Sequence, residues 1–212
     1  MRALEMRAFD AWNRVRLACV RVRNPGLEID PRASSNLALA RYNMGPGATL
    51  RIAAGVVTER IAGRLHFVLY PGAAVEIQAG AWLRTEVSDL HIVAYEGARL
   101  VIGPETLLNG CFVSAKLDVQ IGRRSMLGPG TRIYDADQHD MDAERPERKE
   151  PVRIGEFVWV AGDCTILRGV QIGDHSVVGV GSLVTGDIPA HTLAYGRPAR
   201  PCGTVGDRTH TS

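Results

Sequence analysis

One histidine stands among four carboxylates in a segment that follows no regular pattern. The segment reads Asp135-Ala-Asp137-Gln-His139-Asp140-Met-Asp142. Histidine ionises near neutral pH, so it can take a proton from a hydroxyl group, and a carboxylate such as Asp137 or Asp140 can orient its ring. We therefore predict that His139 is a general base. The alternative is a solvated acidic loop. A metal site is not expected, because nothing fixes a third and a fourth ligand.

A strict repeat follows this segment and predicts a rigid support for it. Aliphatic residues return at every sixth position, at Ile154, Val160, Ile166, Ile172, Val178 and Val184. A second small or aliphatic set follows four places later, at Val158, Cys164, Val170, Ser176, Ser182 and Ile188. This period fits neither an α-helix nor a simple strand, but it fits a coil with three flat faces. Glycines that follow the aliphatic residues (Gly155, Gly173, Gly179) are expected at corners with positive φ.

Weaker copies extend the coil towards the N-terminus. Pro46–Ile52, Pro71–Ile77 and Glu96–Ile102 share the template Gly-Ala-x-[Leu/Val]-x-Ile at a spacing of 25. Ile-Gly pairs then follow at intervals of 19, 33 and 18 residues. A turn without insertions needs about 18 residues, six for each of three faces. Residues beyond this number are expected to form loops at the corners, and the longest loop holds His139. The sequence predicts an all-β parallel β-helix of about seven coils over residues 26–202, with an inserted catalytic loop at 134–153.

The two ends differ from the coil. Residues 1–25 are predicted as an N-terminal segment whose residues 2–23 form an amphipathic helix with one apolar stripe: Ala8, Trp12, Val15, Cys19 and Val22. The stripe indicates a cap on the first turn or a contact between subunits. The arginines around it leave open a second interpretation, peripheral contact with an anionic membrane surface. Residues 203–212 are predicted to be a flexible tail.

Composition narrows the classes of function. The formal net charge of +2 argues against a general nucleic-acid binder, and no window is apolar enough to span a membrane. Cys19, Cys111, Cys164 and Cys202 are far apart and are expected to be reduced thiols. The N-terminus lacks a signal-peptide core. These features indicate a cytoplasmic protein, with peripheral contact at the inner membrane face as the second interpretation.

The stretches 154–189 and Ala194-Tyr-Gly-Arg-Pro-Ala199 together resemble the hexapeptide-repeat acyltransferases. The string Asp-x-Asp-x-His-Asp is similar to the branch that O-acetylates polysaccharides and lipopolysaccharides. The resemblance implies a left-handed parallel β-helix and a homotrimer that uses acetyl-CoA at clefts between subunits. His139 occupies the place of the family's catalytic histidine.

The resemblance also implies roles for residues outside the inserted loop. Asn109 would contact the acceptor hydroxyl from a neighbouring subunit; the alternative is an asparagine chosen for a corner with positive φ. Trp159 would pack near the pantetheine arm and the acceptor; the alternative is an aromatic residue in the trimer interface. Three small residues would let the pantetheine approach the backbone: Ala161, Gly179 and Gly181. Arg197 and Pro198 match an element near the adenine end, and either Arg197 or Arg168 could bind a CoA phosphate.

The predicted function is an acetyl-CoA-dependent O-acetyltransferase acting on a hydroxyl of a sugar or glycan precursor. Acetylation of a xenobiotic, such as a streptogramin-type antibiotic, and N-acetylation of an amino sugar remain open. A γ-type carbonic anhydrase shares the β-helix but needs three zinc-binding histidines, including a pair five apart, and this chain has no such pair. A non-catalytic β-helix is the remaining alternative.

Overall fold

The computed structural model describes residues 3–210 and consists of short strands wound into a coil, with one α-helix before them. The first three turns contain α1 (Ala3–Arg23), β1 (Leu27–Ile29), a 3-10 helix (Ser35–Leu39), β2 (Arg41–Met44), β3 (Thr49–Ile52), β4 (Val57–Thr58), β5 (Leu65–Leu69), β6 (Ala74–Ile77), β7 (Trp82–Arg84) and β8 (Leu90–Ala94). The next two turns contain β9 (Arg99–Ile102), β10 (Leu107–Asn109), β11 (Phe112–Ala115), β12 (Asp118–Ile121), β13 (Met126–Leu127) and β14 (Arg132–Tyr134).

The last turns follow the inserted loop. They contain β15 (Val152–Ile154), β16 (Trp159–Val160), β17 (Thr165–Ile166), β18 (Gln171–Ile172), β19 (Val177–Val178), β20 (Leu183–Val184), β21 (Thr192–Gly196) and β22 (Ala199–Thr204). Apart from the antiparallel pair β21–β22, all of these strands pair in parallel.

Three sheets form the faces of the coil. Sheet A has the order β1-β3-β6-β9-β12-β15-β18, sheet B has β2-β5-β8-β11-β14-β17-β20, and sheet C has β4-β7-β10-β13-β16-β19-β21-β22. The chain visits A, C and B in each of seven turns, and the 3-10 helix takes the sheet C position in the first. The predicted all-β class and parallel coil are confirmed, and the handedness stays a prediction.

The period of six lies on the inside of the coil, as predicted. The six aliphatic residues from Ile154 to Val184 are at most 3% exposed, and the second set is buried as well. Equivalent residues lie in register on neighbouring turns, so Ile121 pairs with Ile154 and Ile154 with Ile172. Burying one such side chain contributes about 1.5–3 kcal/mol, which makes this ladder the main support of the fold.

The expected reason for the repeat glycines was wrong. Gly155, Gly173 and Gly179 do not have positive φ; at these corners the left-handed residues are Phe157, His175 and Gly181, two positions later. The glycines are required by close approach instead. A Cβ on Gly155 would lie 2.2 Å from Asp174 Oδ1, and a Cβ on Gly173 would lie 2.3 Å from the Ala190 nitrogen.

Helix α1 packs against the 3-10 helix of the first turn, but with a different face from the predicted one. Trp12, Val15 and Val22 are between 55% and 84% exposed, and Ala8 and Cys19 are exposed too. Asn13 and Leu17 are buried, because spacings of four place Leu17 on the side that meets the core. The predicted stripe therefore faces outwards. Arg2, which the prediction included, lies outside the described residues.

The C-terminal segment is attached to the coil rather than free. Val205 donates its N–H to the His191 carbonyl, and Arg208 donates its N–H to His175 Nδ1 at 3.0 Å. Arg124 Nη1 donates to the Thr209 carbonyl at 2.8 Å. Part of the predicted flexible tail thus contacts the coil; its flexibility stays a prediction, and the last two residues of that prediction lie outside the described range. None of the helices within residues 3–210 is long and apolar enough to cross a membrane.

Candidate active site

The inserted loop leaves the corner between sheets B and A in the fifth turn and folds as an antiparallel hairpin. Asp137 donates its N–H to the Arg148 carbonyl at 3.0 Å, and Met141 donates to Arg145 at 2.9 Å. At the base, Glu150 donates to the Asp135 carbonyl at 2.9 Å. His139 is therefore carried on a hydrogen-bonded element rather than on an irregular loop.

Asp135 fixes the base of the hairpin to the turn below. Its buried carboxylate accepts the N–H groups of Lys116, Leu117 and Asp118 at 2.7–2.8 Å. Burial raises the pKa of Asp135, and the three N–H donors oppose that rise. From the sequence, Asp135 was grouped with the other acids around His139. Its place two residues after the inward Ile133 was the signal that its side chain also points into the coil.

Lys116 holds the middle of the hairpin and was missed by the sequence argument. Its Nζ donates to the Gln138 carbonyl at 2.9 Å and to Glu147 Oε1 at 2.6 Å. The lysine and glutamate side chains are only 13% and 17% exposed, and the ammonium also lies 4.9 Å from the centre of the Tyr95 ring. Lys116 thus fixes the backbone one residue before His139.

Arg168 borders a cleft beside the hairpin. Its Nε donates to Asp137 Oδ1 at 2.5 Å and its Nη1 to Glu150 Oε1 at 2.7 Å. The Arg168 guanidinium lowers the pKa of Asp137 below its ordinary value. The cleft has a volume of about 580 Å³ and is lined also by Tyr134 and Gln138. Arg168 is therefore already paired with carboxylates, which leaves it little capacity for a CoA phosphate.

His139 is exposed and forms no hydrogen bond or ion pair with any residue in the described range. The two carboxylates expected to support it have other partners: Asp137 binds Arg168, and Asp140 Oδ1 accepts the Glu147 N–H at 2.6 Å. An imidazole with both nitrogens available can exchange a proton with a bound hydroxyl. A carboxylate partner for the ring stays a prediction.

Most of the residues predicted to bind cofactor lie along one edge, the corner between sheets C and B. Ala161, Gly179 and Gly181 follow β16 and β19 there, and Arg197 and Pro198 form the turn between β21 and β22. A Cβ on Gly181 would meet no atom within 4 Å, so the space beside it is open. Gly179 is small for another reason, because a Cβ there would lie 2.8 Å from the Cβ of Tyr195. Arg197 Nη1 donates to the Gly181 carbonyl at 3.2 Å.

Trp159 stands on sheet C beside this edge, with 43% of its surface exposed. Arg208, from the C-terminal segment, lies 5.7 Å from the centre of its ring. The tail therefore borders the position predicted for the pantetheine arm. The contact between Arg208 and Trp159 was not predicted, because no pattern in the polar tail indicates which part of the coil it contacts.

Asn109 ends β10 at the same edge, two turns earlier. It does not have positive φ; the next residue, Gly110, does, at 53°. The expectation that asparagine was chosen for a left-handed corner is therefore wrong. Its Oδ1 is buried without a hydrogen-bond partner among the described residues. An unpaired buried oxygen costs about 1–3 kcal/mol, so a donor from a ligand would be favourable here.

The predicted catalytic and binding residues do not meet within one chain. The hairpin contacts Lys116 and Arg168, both at the corner between sheets B and A. Asn109 and the small residues line the corner between sheets C and B. One whole face, sheet B, separates the two groups. A complete site would need the hairpin of one copy beside the small-residue edge of another.

Residues 151–186 match the family model described as bacterial transferase hexapeptide (six repeats). This segment of the chain therefore resembles the repeats of the hexapeptide transferases. The hexapeptide repeats begin directly after the hairpin and include β15 to β20, which provide Trp159 and the glycine-lined edge.

Proteins similar to this chain carry acetyltransferase names. A Schizosaccharomyces pombe protein, whose assignment as an acetyltransferase is itself provisional, is 40% identical over 87 residues, which are 39% of this chain and 42% of that protein. The chain thus spans less than half the length of that curated relative. A Vibrio cholerae hexapeptide-repeat acetyltransferase, solved with acetyl-CoA, is 29% identical with a TM-score of 0.54, over 64% of this chain and 72% of that one. The polySia-specific acetyltransferase NeuO shares the fold, with a TM-score of 0.71 and 23% identity over 88% of this chain and 78% of that one.

Proposed function

We propose that the protein is an acetyl-CoA-dependent O-acetyltransferase that acts on a hydroxyl of a sugar or glycan precursor, with His139 as general base. The observation that carries the proposal is an exposed, unpartnered histidine on a rigid hairpin directly before the hexapeptide repeats. The acetyl-CoA complex of the Vibrio cholerae relative supports the choice of co-substrate. The open space beside Gly181 and the unpaired Asn109 Oδ1 fit a ligand at the edge between sheets C and B.

The reaction follows from the properties of these groups. His139 takes the proton of the acceptor hydroxyl, whose oxygen then attacks the thioester carbonyl carbon. A C–O bond forms, the C–S bond breaks, and the protonated imidazole returns its proton to the CoA thiolate. A backbone N–H would stabilise the oxyanion. Asn109 Oδ1 would accept a hydrogen bond from the acceptor.

Acetyl-CoA turnover, followed as free thiol release against glycans, amino sugars and antibiotics, tests the proposal. We expect His139→Ala to lose at least ~10²-fold in kcat, the lower range for removal of a general base. His210→Ala, a change of an exposed histidine near the C-terminus, is the control and should keep full activity. Equal activity of the two variants with a hydroxyl acceptor would remove His139 from the mechanism.

The same panel separates the alternatives. Turnover of an amine by His139→Ala would indicate N-acetylation, because an amine needs less help from a base. Preference for an antibiotic would indicate the xenobiotic function. No turnover and no acetyl-CoA binding would leave a non-catalytic β-helix.

The assembly proposed is a homotrimer with sites between subunits. An apolar column on the outer face of sheet C supports self-association. Its members lie in register on consecutive turns: Val57, Trp82, Leu107, Met126, Trp159, Val177 and Leu193. The column spans roughly 30 Å at about 4.8 Å per strand. Val177 is buried and the other members are exposed or half-buried, and exposed apolar residues aligned in this way are typical of an interface.

Light scattering after gel filtration tests the assembly. Met126→Glu, in the middle of the column, should lower the mass from trimer towards monomer. Val87→Glu changes a residue that is 60% exposed outside the column and should leave the mass unchanged. A wild-type protein that elutes as a monomer at micromolar concentration would overturn the trimer.

Helix α1 is proposed to contact an anionic membrane surface. Its outward stripe contains Trp12, Val15 and Val22, and arginines lie on both sides of it: Arg7, Arg14 and Arg21 on one side, Arg16 and Arg23 on the other. Apolar residues flanked by arginine fit the boundary between acyl chains and anionic headgroups.

Co-sedimentation with vesicles tests this contact. The protein should bind vesicles that contain roughly 30% anionic lipid and should not bind vesicles of neutral lipid alone. Trp12→Glu combined with Val15→Glu should abolish binding, while Val180→Glu, an exposed apolar residue of the coil, should not. Binding that persists in the double variant would exclude α1 as the contact.

A further inference from the structure

Three potential metal ligands lie together on the outer face of sheet B, away from the hairpin. His66 is on β5 and His91 is on β8, in direct register on consecutive turns. Asp89 precedes β8 in the corner that enters sheet B. The 25-residue spacings of the sequence place extra residues in these two turns, and Asp89 lies in one of those extra segments. A bare coil would need neither the segment nor the cluster.

The geometry brings the donor atoms close to one another. One ligand atom from each of His66, Asp89 and His91 lies within 4.8 Å of the other two. The imidazole rings are stacked, with centroids 4.3 Å apart and an angle of 10° between planes. The lone pair of an imidazole nitrogen lies in the plane of its ring, so the rings must rotate out of the stack about their side-chain bonds to bring both donors to the ~2 Å distance that zinc requires.

His66 lacks a satisfactory partner. Its Nε2 is buried and has no hydrogen bond within residues 3–210; the nearest carboxylate oxygen, Asp89 Oδ2, is 3.6 Å away. A buried nitrogen left in this way costs about 1–3 kcal/mol unless a partner arrives.

The carboxylate is oriented by a second layer of contacts. Arg64 Nε lies 3.3 Å from Asp89 Oδ1, and Arg64 Nη1 donates to the carbonyls of Thr85 and Glu86 at 3.1 and 3.0 Å. Arg64 therefore occupies one oxygen of Asp89 and leaves the other facing His66. The positive charge of Arg64 disfavours a bound cation, and the negative charge of Asp89 offsets this repulsion. Outer-shell contacts of this kind commonly fix the ligands of metal sites.

We propose that His66, Asp89 and His91 bind one Zn²⁺ ion, with two imidazole nitrogens, one carboxylate oxygen and an open fourth position. Two imidazoles and one carboxylate form a donor set typical of zinc. The ion would join the second and third turns of the coil. The expectation of no metal rested on the segment around His139 and on the lack of a histidine pair five residues apart.

A second histidine stack in the chain provides the matched control. His175 and His191 are also stacked, with centroids 4.8 Å apart, and Asp207 lies 3.6 Å from His175. The His175 Nδ1, however, already accepts the Arg208 N–H at 3.0 Å. This stack resembles the first in composition, but the described residues leave no buried unpaired nitrogen in it, and it should not bind zinc.

Zinc binding to the full chain, stripped with a chelator and titrated by competition with a chromophoric chelator, tests the proposal. We expect one Zn²⁺ per chain and a rise in Tm of roughly 5 °C or more at 100 times Kd, since a ligand that binds only the folded state stabilises it. His66→Gln, His91→Gln and Asp89→Asn should each weaken binding at least ~10-fold, and the double variant His175→Gln/His191→Gln should bind as wild type.

Three results would overturn the site. The first is zinc binding that is weaker than micromolar in the wild type. The second is zinc binding that survives both His66→Gln and His91→Gln. The third is an equal loss of zinc affinity in the control double variant. Asp89→Asn keeps the shape of the side chain, so it serves as the decisive variant if a histidine substitution disturbs folding, which circular dichroism checks.

Discussion

Replacing Lys116 by methionine tests whether the hairpin that carries His139 is held from below. Methionine retains most of the apolar stem against Tyr95 and removes the ammonium. The variant therefore loses the donors to the Gln138 carbonyl and to Glu147 Oε1. The coil beneath keeps its inward ladder, so the change should act on the hairpin rather than on the whole fold.

The magnitude follows from these two contacts. A hydrogen bond from a charged donor contributes about 1.5–3 kcal/mol where both groups are shielded from water, as they are here. The loss in the variant is smaller than the sum of these two contributions, because Glu147 keeps a second partner, Lys149, at 3.9 Å. Local opening of the hairpin should become easier by about 2–4 kcal/mol, which corresponds to a rise of roughly 30-fold to nearly 1,000-fold in the open population.

Hydrogen exchange of the hairpin amides measures this opening. The N–H groups of Asp137 and Met141, which bond across the hairpin, should exchange faster by that factor, while amides of β15 to β20 should not change. Lys149→Met is the control, because that lysine is 46% exposed and its ion pair is long. If the two variants exchange alike, Lys116 does not hold the hairpin. If Lys116→Met exchanges faster but keeps full kcat, hairpin order is not needed for catalysis.

Three further changes probe the coil and the base of the hairpin. Asp135→Asn leaves at least one of three buried N–H groups without an acceptor, so Tm in calorimetry should fall by roughly 2–10 °C. Ile166→Ala should cost about 2–5 kcal/mol in urea unfolding with an unchanged m-value. Because Arg168 lowers the pKa of Asp137, their contact contributes fully above the ordinary Asp pKa and is lost as pH falls through the lowered one. The stability difference between wild type and Asp137→Asn should thus be constant from pH 7 to about 5 and vanish at lower pH.

The inward ladder was predictable because every turn repeats the same constraint. A residue that must stack on Ile154 from the next turn has to be small or aliphatic, so the period of six appears directly in the sequence. The long interval before Ile154 marked the hairpin for the same reason. No comparable constraint acts on the outer faces, where His66 and His91 lie outside the period of six. They meet only because their two turns contain the same number of extra residues.

The errors have a common physical origin. The spacing of Trp12, Val15 and Val22 is that of a packed helix face, yet Leu17 is the residue that meets the core. A pattern on one helix cannot say which face finds a partner. Similarly, the identity of Lys116 carries no local signal. Its function depends on Glu147, which lies 31 residues later and approaches only after the hairpin has formed.

The separation of the candidate site into two corners constrains how the protein could act. One face of the coil is about six residues wide, or roughly 15–20 Å, whereas a base must come within about 3.2 Å of the proton it removes. The hairpin is fixed to its own corner by Lys116 and Arg168, so it does not cross sheet B to the edge beside Gly181. The apolar column through Trp159 lies on sheet C, next to that edge, where a second copy would pack. If the copies assemble there, Met126→Glu should abolish acetyl transfer together with the trimer, although it alters no residue assigned to the chemistry.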